Sequence, residues 1–109
     1  MSGNKLLALI ATVGLSLAQP VLAQVDAESV FKDNDCHKCH HATKAKKGPS
    51  LEKIAARFKA ENLGIDEAMK HMTSGGKVKL SDGTEEDHKI IDTKDPKVLN
   101  AVASWMLNR

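Results

Sequence analysis

Two cysteines and three histidines lie within the seven residues 35–41, whose sequence is DCHKCHH. Cys36, Cys39 and His40 form the pattern C-x-x-C-H, and three kinds of site use such residues. They can hold a zinc ion, form a redox-active dithiol, or attach a haem through two thioether bonds beside an axial imidazole. The sequence around the motif must discriminate among these three sites.

The zinc and dithiol alternatives lack the sequence context that each requires. No second C-x-x-C or H-x-x-x-H pair follows at the spacing of a zinc finger, and no βαβ pattern surrounds the cysteines as in a thioredoxin-like protein. For a haem, the spacing of Cys36 and Cys39 places both sulfurs along one edge of the macrocycle, and His40 follows under the iron. The motif therefore predicts one covalent haem c with His40 as the proximal axial ligand. His37 and His41 are expected to face solvent.

The N-terminal residues 1–23 have the composition of a secretory signal peptide. Lys5 precedes an apolar stretch over residues 6–18, which is too short to span a bilayer, and residues 21–23 end in a suitable cleavage site. An uncleaved anchor is the alternative. Cleavage after Ala23 would leave one domain, residues 24–109, in an exported protein of the periplasm.

This small domain needs something besides its own side chains to fill its core. The aromatic residues of the whole chain are Phe31, Phe58 and Trp105, and domains of this size usually need a staple or a cofactor. A disulfide between Cys36 and Cys39 would close a very small loop and stabilise little. The formal net charge of +2 gives no reason to expect a nucleic acid partner.

Apolar periodicity predicts an all-α domain of four short helices wrapped around the haem, with a long loop before the last helix. Within residues 77–94, the alternation over residues 77–80 and the pair Asp82-Gly83 favour a small hairpin in that loop. Asp26, Ser50 and Asp95 are expected to act as N-caps. The helices are predicted over Ala27 to about Asp33, over residues 51–59, from Asp66 to about Thr73, and from Pro96 onward.

These motifs together resemble the short class I cytochromes c of bacteria. Phe31 lies five positions before Cys36, Gly48-Pro49 follows His40 at the family spacing, and Trp105 lies in the last helix. The resemblance implies that the Pro49 carbonyl accepts a hydrogen bond from the His40 ring, which would orient this ligand. It also implies that Phe31 and Trp105 pack in the haem pocket, with Trp105 near the first helix as well, whereas an ordinary core position is the alternative for both.

The distal axial ligand is where the chain departs from the family pattern. Family members usually supply a methionine from the loop before the last helix, but residues 73–97 contain no methionine and a single histidine, His88. The resemblance therefore implies His88 as the distal ligand. Met72, Met69, His71 and an open position remain as alternatives.

The segment SGGKVKLSDGTEEDHKI also resembles a narrower subgroup, the periplasmic bis-histidine monohaem cytochromes that include the MtoD-type shuttles of iron-oxidising bacteria. This resemblance implies a monomeric electron carrier rather than an enzyme, with no small-molecule substrate. Its partners would be periplasmic redox proteins, such as an outer-membrane cytochrome conduit and an inner-membrane oxidase or reductase. The alternative is a haem protein with an open or displaceable sixth site for gas binding or peroxidase chemistry, with acid–base candidates at Glu85, Glu86 and Asp87.

Lysines are concentrated near the motif and in the predicted hairpin. Such a cluster commonly serves solubility, but it can also dock an acidic partner and raise the rate of encounter. The lysines concerned are Lys38, Lys44, Lys46, Lys47, Lys77, Lys79 and Lys89.

Overall fold

The computed structural model describes residue 3, residues 9–14 and residues 25–109. The predicted signal peptide and its cleavage site fall mostly outside these residues. In chain order the elements are α1 (Ala27–Asp33), a 3-10 turn (Cys36–Lys38), α2 (Leu51–Ala60), α3 (Ile65–Ser74), β1 (Lys77–Lys79), β2 (Glu85–Asp87) and α4 (Pro96–Leu107). The prediction of a mostly helical domain with four short helices is confirmed. None of the described helices is long and apolar enough to cross a membrane.

Three of the four helices begin at the residues that the sequence indicated as caps. The side chains of Asp26, Ser50 and Asp95 each accept a hydrogen bond from a backbone N–H two or three residues further along the chain. These bonds satisfy N–H groups that have no partner within the first helical turn. Pro96 follows Asp95 in the first turn of α4, where its missing N–H costs nothing.

The last helix, α4, packs against each of the other three helices. Its Val102 and Ala103 have no solvent exposure, because they lie where the packed faces meet. Burying a side chain of the size of Val102 stabilises the fold by about 1.5–3 kcal/mol. The buried core consists of Phe31, Leu51, Ala68, Met72, Ile91, Leu99, Val102, Ala103 and Met106.

The predicted hairpin is present between α3 and α4. Strands β1 and β2 pair antiparallel, so that Lys77 faces Asp87 and Lys79 faces Glu85. The amide of Leu80 donates to the Thr84 carbonyl at 2.7 Å, which closes the turn. The register places opposite charges across the pair, as antiparallel neighbours favour.

Gly75 lets the hairpin fold back along the end of α3. Its φ of +65° ends the helix in the left-handed conformation, which glycine adopts without steric cost. The chain then returns beside α3, where the amide of His88 donates to the Gly76 carbonyl at 2.8 Å and the amide of Ile91 to the Met72 carbonyl at 2.9 Å. These two bonds bring His88 next to the C-terminal end of α3.

Asn34 ties this returning segment to α1. Its Oδ1 accepts a hydrogen bond from the backbone N–H of Asp92 at 2.9 Å, while its Nδ2 donates to the Val30 carbonyl at 2.8 Å. One side chain thus connects the end of α1 to a backbone segment far along the chain. The neighbouring Ile91 is buried in the core at that point.

We expect Asn34→Ala to lower the free energy of unfolding of the haem-loaded protein by about 1–3 kcal/mol, because the Asp92 amide loses its partner, whereas the Val30 carbonyl still accepts from the Asn34 backbone amide. Asn100→Ala is the matched control, since the Asn100 side chain is exposed on α4 and only a long 3.5 Å contact joins it to Ser104. Denaturant titration followed by circular dichroism measures both variants. Equal losses for the two substitutions would contradict the role of Asn34.

Candidate functional site

A cavity of about 510 Å³ opens between the cysteine motif and the hairpin. This volume lies within the range of about 300–1,000 Å³ that small-molecule and cofactor sites occupy. All four helices contribute apolar side chains to its wall, so that the domain core and the cavity wall are largely the same residues. These side chains are Phe31, Ile54, Phe58, Ala68, Met72, Met106 and Leu107.

The C-x-x-C-H motif folds into a tight turn at one side of this cavity. Asp35, with a φ of +60°, leads into the 3-10 turn, and the Cys36 carbonyl accepts from the amides of both Cys39 and His40 at 3.2 and 3.1 Å. As a result Cys36, Cys39 and His40 all line the cavity. Burial raises the pKa of the Cys36 thiol.

The ring of His40 is held from behind by the loop that follows the motif. Its Nδ1 lies 2.7 Å from the Pro49 carbonyl oxygen, and because a carbonyl can only accept, Nδ1 carries the proton and donates. The other ring nitrogen, Nε2, then keeps a free lone pair for a metal. Gly48 packs so closely that a Cβ at this position would lie 2.8 Å from Cε1 of the ring.

The distal histidine suggested by the family pattern faces His40 across the cavity. The ring centres of His40 and His88 are 6.1 Å apart and their planes are inclined by 45°. Two metal–imidazole bonds of about 2 Å each account for about 4 Å of this separation. The remainder is close to the sum of two further distances, one in each ring, from the ligating nitrogen to the ring centre. Burial, followed by the nearby His71, lowers the pKa of His88, so its imidazole is neutral at neutral pH.

Nδ1 of His88 is buried and has no hydrogen-bond partner among the described residues. The two facing imidazoles are therefore supported differently, since only His40 has an acceptor behind its ring. A buried polar nitrogen without a partner is costly in an ordinary core and is typical of a site with a further role.

His71 lines the same cavity, and its ring centre is only 4.3 Å from that of His88. His71 is exposed overall, but partial desolvation, followed by the nearby His40, lowers its pKa. Met72 also lines the cavity, whereas Met69 packs against the core and does not reach the cavity wall. Of the alternative distal ligands, His71 and Met72 are thus placed at the site.

Phe31 and Trp105 occupy two successive layers beside the cavity. Phe31 lines the wall directly, and Trp105 packs on it with ring centres 5.2 Å apart and planes inclined by 59°. Trp105 is not part of the wall, because α4 turns Met106 and Leu107 toward the cavity instead. Its expected packing on the haem is therefore indirect, through Phe31. The guanidinium of Arg109 covers the Trp105 ring at 4.8 Å.

The two remaining histidines of the motif region lie outside the cavity wall. His41 Nδ1 accepts from the amides of Thr43 and Lys44, both at 3.1 Å, and so shapes the loop instead of simply facing solvent. His37 is partly buried, and its carbonyl accepts from Lys46 Nζ at 3.1 Å. Across residues 25–109 and the short described stretches before them, no three His, Cys, Asp or Glu residues are placed to share a metal ion.

Charged side chains form the rim of the cavity. Lys47, Lys79 and Lys89 line it from the lysine cluster, together with Arg57 and Glu67, which carried no signal in the sequence. The remaining lysines of the cluster, Lys38, Lys44, Lys46 and Lys77, do not contribute to the wall.

Several rim charges are paired. Lys47 Nζ lies 3.6 Å from Glu86 Oε1, a contact that joins the loop after the motif to the hairpin. Lys77 pairs with Asp87 at 2.9 Å, and Lys38 pairs with Asp35 at 3.3 Å. The positive charge available to a partner is therefore smaller than the lysine count indicates.

Comparison with known proteins identifies the family of the chain. The cytochrome c family model matches residues 24–109. The chain belongs to the cytochrome c family. It is similar to the class 1 cytochrome MtoD from Sideroxydans lithotrophicus ES-1, with 37% identity, a TM-score of 0.70, and coverage of 75% of this chain and 90% of that chain. No curated protein sequence matches this chain significantly.

A second solved structure shows the same fold at lower identity. Wild-type cytochrome c552 from Nitrosomonas europaea matches with 21% identity and a TM-score of 0.55, over 73% of this chain and 95% of that chain. The protein is thus a class I cytochrome c, a haem electron-transfer protein with covalently bound haem c. The residues fit this cofactor. Cys36 and Cys39 line a largely apolar cavity, and the missing Cβ of Gly48 lets the His40 ring lie against the loop.

We expect Gly48→Ala to displace the His40 ring, because the added Cβ overlaps Cε1 and the ring is pressed between the loop and the cavity. The free energy of unfolding of the holoprotein should fall by about 1–3 kcal/mol, as for overpacked cores, and the Soret band of the ferric protein should shift. Gly76→Ala is the control, since a Cβ there meets nothing within 4 Å. An unchanged Gly48→Ala spectrum and stability would contradict the tight fit.

Proposed function

We propose that this cytochrome is a periplasmic one-electron carrier in which His40 and His88 hold the haem iron from opposite sides. The observation that carries the proposal is the pair of imidazoles facing each other at 6.1 Å in the cavity that the C-x-x-C-H motif lines. A haem iron supplies one-electron chemistry by alternating between the ferric and ferrous states.

The side chains around the cavity do the rest of the work. Cys36 and Cys39 anchor the macrocycle edge, His40 presents Nε2 under control of the Pro49 carbonyl, and His88 supplies the second imidazole. The apolar wall excludes water, which limits the reorganisation that accompanies a change of charge. With both axial positions filled by protein nitrogen, no position remains for a substrate, and this supports a carrier rather than an enzyme.

The acidic residues of the hairpin support the same conclusion. In a ligand-binding or peroxidase-like haem protein, Glu85, Glu86 or Asp87 would serve as an acid–base group beside an open iron position. Glu85 does not line the cavity. Glu86 and Asp87 do line it, but their carboxylates are paired with Lys47 and Lys77.

Export is inferred from the N-terminal sequence, and partners are inferred from similarity to other cytochromes. The composition of residues 1–23 supports secretion to the periplasm, and a covalent attachment retains the cofactor after export. By similarity to MtoD-type shuttles, we propose that the monomeric protein carries electrons between an outer-membrane cytochrome conduit and an inner-membrane oxidase or reductase.

Replacing His88 tests the distal ligand. The ferric wild-type protein should be low-spin and lack the weak near-infrared band that a methionine–iron bond produces. His88→Met should create this band and raise the reduction potential, because a thioether ligand favours ferrous iron relative to imidazole.

Met72→Leu serves as the control for this test, because Met72 is the alternative methionine ligand that lines the cavity. This substitution removes the sulfur at similar volume, and the optical spectrum should stay that of the wild type. A methionine–iron band in the wild type that disappears in Met72→Leu would refute the assignment of His88.

The rim lysines support an acidic partner. Lys79 and Lys89 line the cavity and form no ion pair within the described residues. Positive charge at the cavity rim would steer an anionic partner toward the haem site.

We expect the double variant Lys79→Gln/Lys89→Gln to be oxidised a few-fold more slowly by ferricyanide at low salt, with a weaker dependence on ionic strength. Stopped-flow oxidation of the ferrous protein measures this rate. The matched control Lys53→Gln/Lys97→Gln removes the same charge from exposed positions outside the cavity wall. Equal slowing in both double variants would mean that net charge, rather than the rim, governs the encounter.

A further inference from the structure

The distal side of the cavity carries two imidazoles. The ring of His71, from α3, and the ring of His88, from the segment after β2, have centres 4.3 Å apart and planes inclined by 55°. This is the tilted contact that aromatic rings favour. Both side chains line the cavity that His40 also lines, so two candidate nitrogen donors share one side of the site.

The two histidines belong to backbone elements of very different stability. His71 belongs to a ten-residue helix whose Ala68 and Met72 are buried in the core. His88 follows a three-residue strand in which every residue is exposed, and a two-stranded hairpin of this kind is marginally stable by itself. Opening of the hairpin would therefore move His88 while leaving His71 in place.

The hydrogen bonding of the ring nitrogen Nδ1 also makes His88 the less firmly held ligand. The proximal ring of His40 is fixed by its hydrogen bond to the Pro49 carbonyl, whereas Nδ1 of His88 has no partner among the described residues. A ligating imidazole whose second nitrogen lacks an acceptor is less well oriented and less basic. Of the two axial bonds, the one to His88 is therefore the one that breaks first.

We propose that His71 is a second distal ligand, which binds the haem iron when His88 leaves. The inference rests on the proposed function, in which His88 is the ligand of the native state. In the exchange, His88 gives up its bond to the iron through one ring nitrogen and His71 forms the corresponding bond. Both imidazoles are neutral donors, so neither an electron nor a net charge is transferred and the iron keeps six ligands.

The exchange would protect the carrier from side reactions. An iron that loses its distal ligand becomes open to small ligands, whereas a neighbouring imidazole refills the position. The geometry thus allows the hairpin to move, for example during docking at the cavity rim, without turning the protein into a ligand-binding haem protein.

The test compares ferric and ferrous holoprotein of His71→Ala, His88→Ala and the double variant. Lys70→Ala is the matched control for α3, because Lys70 is exposed beside His71 and does not line the cavity. Electron paramagnetic resonance of the ferric state reports the spin state and ligand field, and carbon monoxide binding to the ferrous state reports access to the sixth position.

We expect Lys70→Ala to keep the wild-type signal and His71→Ala to stay low-spin, because His88 still binds the iron in both variants. His88→Ala should stay mostly low-spin with altered g-values, because His71 replaces the lost imidazole. The double variant should become mostly high-spin and bind carbon monoxide much faster than His88→Ala does. Added free imidazole should return the double variant to low spin, which would show that its pocket is intact, and His71→Gln/His88→Ala repeats the comparison with the volume of residue 71 better conserved.

Three results overturn the inference in distinguishable ways. If His88→Ala is as high-spin as the double variant, His71 does not bind the iron, and the assignment of His88 stands. If His71→Ala alone changes the native low-spin signal and His88→Ala leaves it intact, His71 is the native ligand and both proposals fail. A double variant that stays low-spin without added imidazole also overturns the inference, because a third residue would then be the replacement ligand.

Discussion

The hydrogen bond from His40 Nδ1 to the Pro49 carbonyl is the contact on which the arrangement of the site depends. It fixes the tautomer of the proximal imidazole and the angle of its ring, and Gly48 allows the loop to approach closely enough to form it. The loop is in turn anchored to α2, because the Leu51 amide donates to the His41 carbonyl at 2.9 Å. The motif, the loop and the helix therefore form one rigid proximal wall.

The segment that carries His88 on the distal side is held less firmly than the proximal wall. Gly75 ends α3 in a left-handed conformation, the hairpin folds back, and His88 reaches the cavity through a short exposed strand. Asn34 holds the segment beyond it against α1 by a single amide side chain. A rigid proximal wall and a lightly held distal wall suit the proposed carrier, which would keep its cofactor permanently and meet partners briefly at the rim.

Much of this fold could be predicted from the sequence because its signals are local. The caps Asp26, Ser50 and Asp95 act within one turn of chain, and the spacing of Cys36 and Cys39 encodes the tight turn directly. His71 lies at the border of the inward face of α3. It shares helical spacing with the buried Ala68 and Met72, and it lines the cavity although the residue is exposed overall.

Other features have no local signature. The bond from Asp92 to Asn34 joins residues 58 positions apart, and the pairing of Lys77 with Asp87 follows only from the hairpin register. Trp105 is predicted only in part, because the family resemblance places it near both the haem and the first helix. It meets Phe31 rather than the cavity. Contacts of this kind depend on how elements pack, which one sequence does not specify.

X-ray absorption at the iron edge of the ferric holoprotein tests most directly whether two histidines hold the iron. Coordination by His40 and His88 predicts six nitrogen neighbours at about 2.0 Å, the length of a metal–imidazole bond. A sulfur neighbour at about 2.3 Å or longer, or a five-coordinate iron, would contradict coordination by two histidines.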